Sequence, residues 1–130
     1  MRKFYQNKLW RDKAVDWLLE QGSILHWRVL NDNEMNHELK RKLIEEAHEV
    51  HAAKTKEELC LELADILEVV ETIAHHHDLN MNEIRHLQYE KRLKKGGFMG
   101  RKFVSLAEHP AGSEAERYCL ENPQKYPELQ

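Results

Sequence analysis

Four acidic residues stand in two pairs in the middle of this 130-residue chain: Glu46 with Glu49, and Glu62 with Asp65. The members of each pair are three residues apart, so on an α-helix both carboxylates lie on one face. Carboxylates that converge near a core repel one another and lose hydration. A divalent cation cancels that cost, and a set of oxygen ligands favours magnesium or manganese over zinc. The two pairs therefore predict a magnesium or manganese site.

The first acidic pair lies in a segment with a helical pattern, from about Glu34 to Ala53. Its apolar residues recur at helical spacing and form one stripe, made of Met35, Leu39, Leu43, Ala47 and Val50. Glu46 falls inside that stripe, Glu49 lies at its edge, and Glu45 lies further round the helix. A solvated helix face explains Glu45 but explains Glu46 poorly.

The second pair lies in a helix predicted from Lys56 to about His77. One broad side of this helix is apolar, with Leu59, Leu63, Ile66, Val69, Val70 and Ile73, and Leu61 lies opposite. A helix that is apolar over most of its circumference is expected at the centre of a bundle. Glu62 lies among the apolar positions and Asp65 beside Val69. A short turn joins the two helices, so we expect them to pack antiparallel with their acidic faces close together.

Helix start signals recur along the chain. Thr55 followed by Glu58, and Asn80 followed by Glu83, are capping-box patterns. Asp12 can cap a short helix that ends near Gly22, and residues 24–30 are expected to be an extended connector. A third long helix should end before Gly96-Gly97, and Ser113 with Glu116 can begin a last short one. The sequence predicts an all-α protein, an antiparallel helical bundle with an irregular C-terminal arm.

Composition limits the classes of function. The net charge of −3 gives no long-range attraction to nucleic acid or to an anionic membrane, so neither is expected as a partner. The two cysteines, Cys60 and Cys119, have no metal-ligand spacing, and Cys60 is expected to be buried. Without a signal peptide or a long apolar run, the expected location is the cytoplasm.

Other motifs fit catalysis poorly. His48 and His51 lie one residue too close together for the zinc motif H-E-x-x-H. The consecutive residues His75, His76 and His77 point in different directions on a helix, which favours a solvated helix end. Gly96-Gly97 follows a helix, whereas a phosphate-binding glycine loop opens one.

Three stretches resemble a known family. Glu46-Ala-His-Glu49, twelve residues, and then Glu62-Leu-Ala-Asp65 resemble the paired acidic motifs of the MazG-like all-α nucleoside triphosphate pyrophosphohydrolases. Lys8-Leu-Trp-Arg-Asp-Lys13 is similar to the opening of many small members. Lys91 to Phe98 is similar to the end of their last helix. The resemblance covers about residues 3–104, so we expect a catalytic domain over 1–104 and a C-terminal extension over 105–130.

The resemblance implies hydrolysis of a nucleoside triphosphate between its α- and β-phosphates, with non-standard nucleotides as substrates. Glu46, Glu49, Glu62 and Asp65 would hold Mg²⁺, with Mn²⁺ as an alternative, and Glu45 or Glu49 would activate water. The expected phosphate-binding residues match the family in charge and position: Lys8, Arg11, Lys13, Lys91 and Lys95.

A domain of this size is expected to complete its four-helix core as a homodimer or homotetramer. Two other functions stay open. One is a non-catalytic helical regulator or nucleotide-binding assembly module. The other is phosphoribosyl-ATP hydrolysis. The acidic quartet favours an enzyme over a regulator, because a non-catalytic module has no evident reason to bury four carboxylates.

Overall fold

A computed structural model describes residues 1–130 and contains five helices and no strands. The helices are α1 (Asp12–Glu20), α2 (Asp32–Ala52), α3 (Lys56–His76), α4 (Met81–Lys95) and α5 (Glu114–Glu121). The predicted all-α class and the antiparallel packing of the two acidic helices are confirmed. Residues 24–30 form no regular structure, as expected for a connector.

Side-chain caps begin the two long helices. Asn31 accepts a hydrogen bond from the backbone N–H of Glu34, and the Glu34 carboxylate accepts one from the N–H of Asn31, a complete capping box. The hydroxyl of Thr55 accepts from the N–H of Glu58 at 3.1 Å. The Glu58 carboxylate accepts from the N–H of Lys54 instead of closing the predicted box with Thr55.

Two predicted caps are wrong in detail. Asp12 is the first helical residue of α1, and Arg11 occupies the cap position without a side-chain hydrogen bond. An aspartate in the first turn still stabilises a helix, because its negative charge interacts favourably with the helix dipole. This explains why Asp12 lies at the start of α1. At the start of α4, the side chain of Asn80 accepts from the N–H of Asn82, so the predicted box with Glu83 is not formed.

The antiparallel pair of α2 and α3 is the main packing contact of the fold. Its buried residues are Leu39 and Glu46 on α2, and Val69 and Ala74 on α3. Two histidines at the end of α3 hydrogen-bond to residues at the start of α2. His76 bonds the carbonyl of Asp32 and His77 bonds the side chain of Asn36, at 3.2 and 2.8 Å. His75 and His77 are exposed and His76 is half-buried, so the end of α3 is solvated as predicted, and two of its histidines also join the helices.

Several positions predicted to be buried are exposed. Ala47 lies outside the packed side of α2, and Cys60 is exposed on α3. Leu59, Leu63 and Leu67 on α3 keep 38, 47 and 48% of their surface exposed. Because α2 covers only one side of α3, α3 is not central within one chain. The apolar surface of α3 is therefore larger than the part that α2 buries.

The chain forms two compact units, residues 1–91 and 92–130, with the boundary inside α4. Gly96 ends α4 with φ +81°, a left-handed conformation that glycine adopts without strain, and confirms the predicted stop. In the second unit, Ser113 caps α5 by accepting from the N–H of Glu116, as predicted. None of the helices is both long and apolar enough to cross a membrane. The predicted functional boundary at residue 104 stays a prediction.

Replacing Thr55 by alanine should lower the free energy of unfolding by about 0.5–2 kcal/mol, because α3 loses its side-chain cap. Thr55→Ser keeps the hydroxyl and should retain most of the stability. Urea unfolding at one fixed protein concentration measures both. Equal stability of the alanine and serine variants would show that the cap does not contribute.

Candidate metal centre

Three of the four predicted ligands come together across the interface between α2 and α3. One carboxylate oxygen each from Glu46, Glu62 and Asp65 lies within 4.8 Å of the other two. Glu46 is 7% exposed, and the other two are half-buried. This is the one group of histidine, cysteine and acidic side chains in the structure with metal-ligand spacing.

Helical spacing explains how these side chains meet. Glu46 lies seven residues after buried Leu39 and four before half-buried Val50, which places it on the packed side of α2. On α3, Glu62 lies seven residues before buried Val69, and Asp65 lies four before it. Antiparallel packing then brings these two faces together, and the carboxylates face one another across a partly exposed interface.

The repulsion within this cluster is visible at Glu62. Partial burial raises the pKa of the Glu62 carboxyl above its usual value. The charges of Asp65, Glu46 and Glu49 raise it further, as does a hydrogen bond to Glu46. A bound cation would act in the opposite direction, because it stabilises the ionised form.

The remaining predicted acids lie beside the cluster. Glu49 is exposed on α2, one turn beyond Glu46, and close enough for its charge to act on Glu62. Glu45 is half-buried, and its carboxylate forms ion pairs with Lys8 and Lys42. Partial burial would raise the pKa of its carboxyl, but hydrogen bonds and attraction from Lys42 and Lys8 outweigh burial, and the pKa is lowered.

Three cationic side chains surround the carboxylates. The Arg11 guanidinium donates to Asp65 at 2.7 Å, and the Lys8 ammonium donates to Glu45 at 3.3 Å. Lys42 lies 3.2 Å from Glu45 and 3.7 Å from Glu46. Lys42 was not among the predicted site residues, although its position three and four residues before these glutamates on one helix is a recognisable signal.

A shallow depression of about 240 Å³ lies between the segment before α1 and the side of α2. Its lining includes Lys8, Arg41 and Lys42, together with Glu38 and Glu45. The backbone at Asn7 has φ +47°, in the left-handed region that asparagine enters more readily than most residues. The depression thus adjoins the acidic cluster and carries basic groups suited to an anionic ligand.

The other predicted phosphate-binding residues lie on α1 and α4. Lys13 on α1 is exposed, as are Lys91 and Lys95 on α4, and none of the three takes part in an ion pair or side-chain hydrogen bond. The histidines of the zinc-like sequence, His48 and His51, are both exposed and take no part in the metal-spaced group.

The cluster fits a divalent cation by its chemistry. All its donors are carboxylate oxygens, the ligands that magnesium and manganese prefer. Two oxygens on opposite sides of one magnesium ion lie about 4.2 Å apart, twice the ~2.1 Å bond length. The three oxygens lie within 4.8 Å of one another, so side-chain rotations would bring them onto one ion. The acidic cluster is therefore consistent with a divalent metal site.

Glu62→Gln should raise the thermal stability of the metal-free protein at pH 7. A carboxyl whose folded-state pKa is raised binds its proton more tightly when folded, so stability falls as pH rises through that pKa. The gain from glutamine should therefore vanish below the ordinary glutamate pKa, where Glu62 is protonated. Melting curves in EDTA from pH 4 to 8 measure this.

Glu68→Gln, at an exposed position on the same helix, removes the same charge outside the cluster and is the matched control. An equal gain in both variants, or a gain that does not depend on pH, would contradict repulsion at Glu62.

Comparison with known proteins places this geometry in a family. The family model of phosphoribosyl-ATP pyrophosphohydrolase (PRA-PH) matches residues 28–88, which include all of α2 and α3 and hence every ligand of the cluster. The stretches Lys8–Lys13 and Lys91–Phe98 lie outside the matched residues. No curated protein and no solved structure shows significant similarity to the chain. Residues 28–88 thus match a PRA-PH domain of the MazG-like all-α NTP pyrophosphohydrolase superfamily, and this match implies nucleotide pyrophosphohydrolase activity.

Proposed function

We propose that this protein is a Mg²⁺-dependent nucleoside triphosphate pyrophosphohydrolase that cleaves between the α- and β-phosphates and acts on non-standard nucleotides. The observation that carries the proposal is the convergence of Glu46, Glu62 and Asp65 across the helices of the family domain. A non-catalytic module would derive no benefit from the mutual repulsion at Glu62. The acidic cluster therefore supports an enzyme over a helical regulator.

Glu46, Glu62 and Asp65 would hold the magnesium ion, and Glu49 would join them from the next turn of α2. When bound, the ion neutralises phosphate charge and lowers the pKa of water. Glu46 is the most buried of the four and is anchored in the packed face. Glu46 would therefore fix the position of the metal ion relative to α2 and α3. Glu49 is more exposed and can rotate toward a ligand.

Glu49 is a better candidate than Glu45 for the general base. The attacking water adds its oxygen to the α-phosphorus, the bridging bond to the β-phosphate breaks, and pyrophosphate leaves with the bond electrons. A carboxylate must accept the proton released by water. Glu45 is occupied by Lys8 and Lys42, which lower its pKa and weaken it as a base. Glu49 is exposed and forms no ion pair.

The basic groups next to the cluster would bind the phosphate chain. Lys8 and Arg11 already contact acids at the site, and the depression beside them also presents Lys42. A guanidinium binds two phosphate oxygens at once, which suits Arg11 to this role. Lys13, Lys91 and Lys95 stay candidates by their charge and sequence position alone.

A second candidate substrate is phosphoribosyl-ATP, which the name of the matched family favours. Its cleavage between the α- and β-phosphates follows the same chemistry. Phosphoribosyl-ATP and a non-standard nucleoside triphosphate differ outside the phosphate chain, so an assay distinguishes them and the acidic cluster does not. The two free cysteines, Cys60 and Cys119, support a reducing location such as the cytoplasm.

We also propose that the protein is a homodimer or homotetramer. Only three apolar residues are buried in the single chain: Leu39, Val69 and Ala74. A core of this size is too small to offset the conformational entropy lost on folding. Leu59, Leu63 and Leu67 continue the packed side of α3 outward, and a second copy of the α2–α3 pair on this stripe would complete a four-helix core.

Replacing Glu62 by glutamine or Asp65 by asparagine should reduce kcat about 100-fold or more, because loss of a ligand removes several kcal/mol of charge stabilisation. The assay measures pyrophosphate released from a panel of canonical and modified nucleoside triphosphates and from phosphoribosyl-ATP, with magnesium. Glu49→Gln should lower kcat by more than Glu45→Gln. Glu68→Gln should behave as wild type.

Undiminished release by Glu62→Gln and Asp65→Asn would refute the role of the cluster. If the wild-type protein released no pyrophosphate from any substrate while it bound nucleotide, the regulator would be the better description. Release from phosphoribosyl-ATP alone would select the second candidate.

Light scattering on a size-exclusion column should give a mass at least twice 15.5 kDa. The double substitution Leu63→Glu with Leu67→Glu should shift the protein to smaller species, because it places charges on the apolar stripe. Leu61→Glu, on the opposite side of α3, should leave the mass unchanged. A monomeric wild-type protein with cooperative unfolding would contradict the proposal.

A further inference from the structure

Two ion pairs hold the segment before α1 to the acidic helices. Lys8 and Arg11 donate to Glu45 and Asp65 across 37 and 54 residues of chain, and they are the only side chains of residues 1–11 that hydrogen-bond to the helices. The two contacts are not equivalent. Asp65 belongs to the metal-spaced cluster and Glu45 does not.

The Arg11 contact competes with a cation for Asp65. The guanidinium occupies one of the two carboxylate oxygens, Oδ1, at 2.7 Å. Its positive charge also opposes the approach of a second positive charge to the same carboxylate. Both groups at this contact are partly exposed, at 60% for Arg11 and 37% for Asp65, so the pair is weak enough to open.

The released guanidinium would not lack a partner. A phosphate chain brought to the cluster by a cation presents oxygens next to Asp65, and arginine binds phosphate oxygens with two parallel hydrogen bonds. The same side chain can thus bind Asp65 when the site lacks a cation and bind phosphate when the site is filled.

We propose that Arg11 exchanges Asp65 for substrate phosphate, and that this exchange couples metal binding to nucleotide binding. The inference rests on the proposed function, since it takes the cluster as the metal site. Arg11 weakens binding of the metal alone and strengthens binding of phosphate once the metal is present. Coupling between two ligands is reciprocal in free energy, so nucleotide strengthens metal binding through the same residue.

Lys8 provides an internal contrast. It also contacts a carboxylate and lines the depression, but its partner Glu45 lies outside the metal-spaced group. Loss of Lys8 should weaken phosphate binding without strengthening metal binding. Loss of Arg11 should instead strengthen metal binding and weaken phosphate binding. These opposite changes in the two affinities distinguish exchange from a simple loss of positive charge.

The experiment measures two affinities in wild type, Arg11→Gln, Lys8→Gln and Arg85→Gln. Free Mn²⁺ measured by electron paramagnetic resonance gives the affinity for metal alone, and calorimetry at saturating Mn²⁺ gives the affinity for pyrophosphate. Arg85, whose only side-chain hydrogen bond is to Gln88 on its own helix, controls for loss of one charge.

Arg11→Gln should bind Mn²⁺ about two- to five-fold more tightly than wild type, the range set by breaking a partly exposed ion pair. It should bind pyrophosphate more weakly at saturating Mn²⁺, and Arg11→Lys should fall between the two. Lys8→Gln should bind Mn²⁺ as wild type does. Melting curves in EDTA confirm that each variant is folded.

Mn²⁺ affinity of Arg11→Gln equal to or below that of Arg85→Gln would overturn the exchange, as would undiminished binding of pyrophosphate. If wild type bound no Mn²⁺, both the exchange and the proposed function would fail. Tighter Mn²⁺ binding and weaker pyrophosphate binding by Arg11→Gln in a protein without hydrolytic activity would support the exchange and refute the proposed function.

Discussion

Three carboxylates face one another across the interface of α2 and α3, and their repulsion opposes the packing that brings them together. Partial burial raises the pKa of Glu62, and the charges of its acidic neighbours raise it further, in the direction expected for such a conflict. Hydrophobic contacts around Leu39 and Val69 hold the two helices in place against it. A bound cation would relieve the repulsion, so the packing that is unfavourable for the empty cluster is consistent with a metal site.

Basic side chains lie next to the acidic side chains at this interface. Lys42 lies beside Glu45 and Glu46, while Lys8 and Arg11 arrive from the segment before α1. The site therefore carries both signs of charge within a few ångströms. A magnesium-bound triphosphate carries both signs as well, and under the proposed function its cation would face the acids and its phosphates the basic groups.

The small core of the single chain is related to the acidic cluster through α3. α3 is apolar over more of its circumference than α2 covers, which leaves Leu59, Leu63 and Leu67 partly exposed. In an oligomer these residues would be buried and would restrict the motion of α3. Greater rigidity at α3 would hold Glu62 and Asp65 at a fixed distance from Glu46, as metal coordination requires. Oligomerisation and metal binding would then support one another.

Much of the fold and of the acidic cluster could be predicted from the sequence, because both follow from helical periodicity. Thr55 and Ser113 mark helix starts through local hydrogen bonds, and the spacing of Glu46, Glu62 and Asp65 places each on a packed face. The predicted caps of α1 and α4 were less accurate, since Asp12 and Asn80 can satisfy nearby backbone groups in more than one way. Contacts between distant segments follow no local rule. Only the tertiary structure decided that Arg11 binds Asp65, that Lys8 binds Glu45 and that Cys60 is exposed, because these features depend on how the helices and the N-terminal segment are arranged in space.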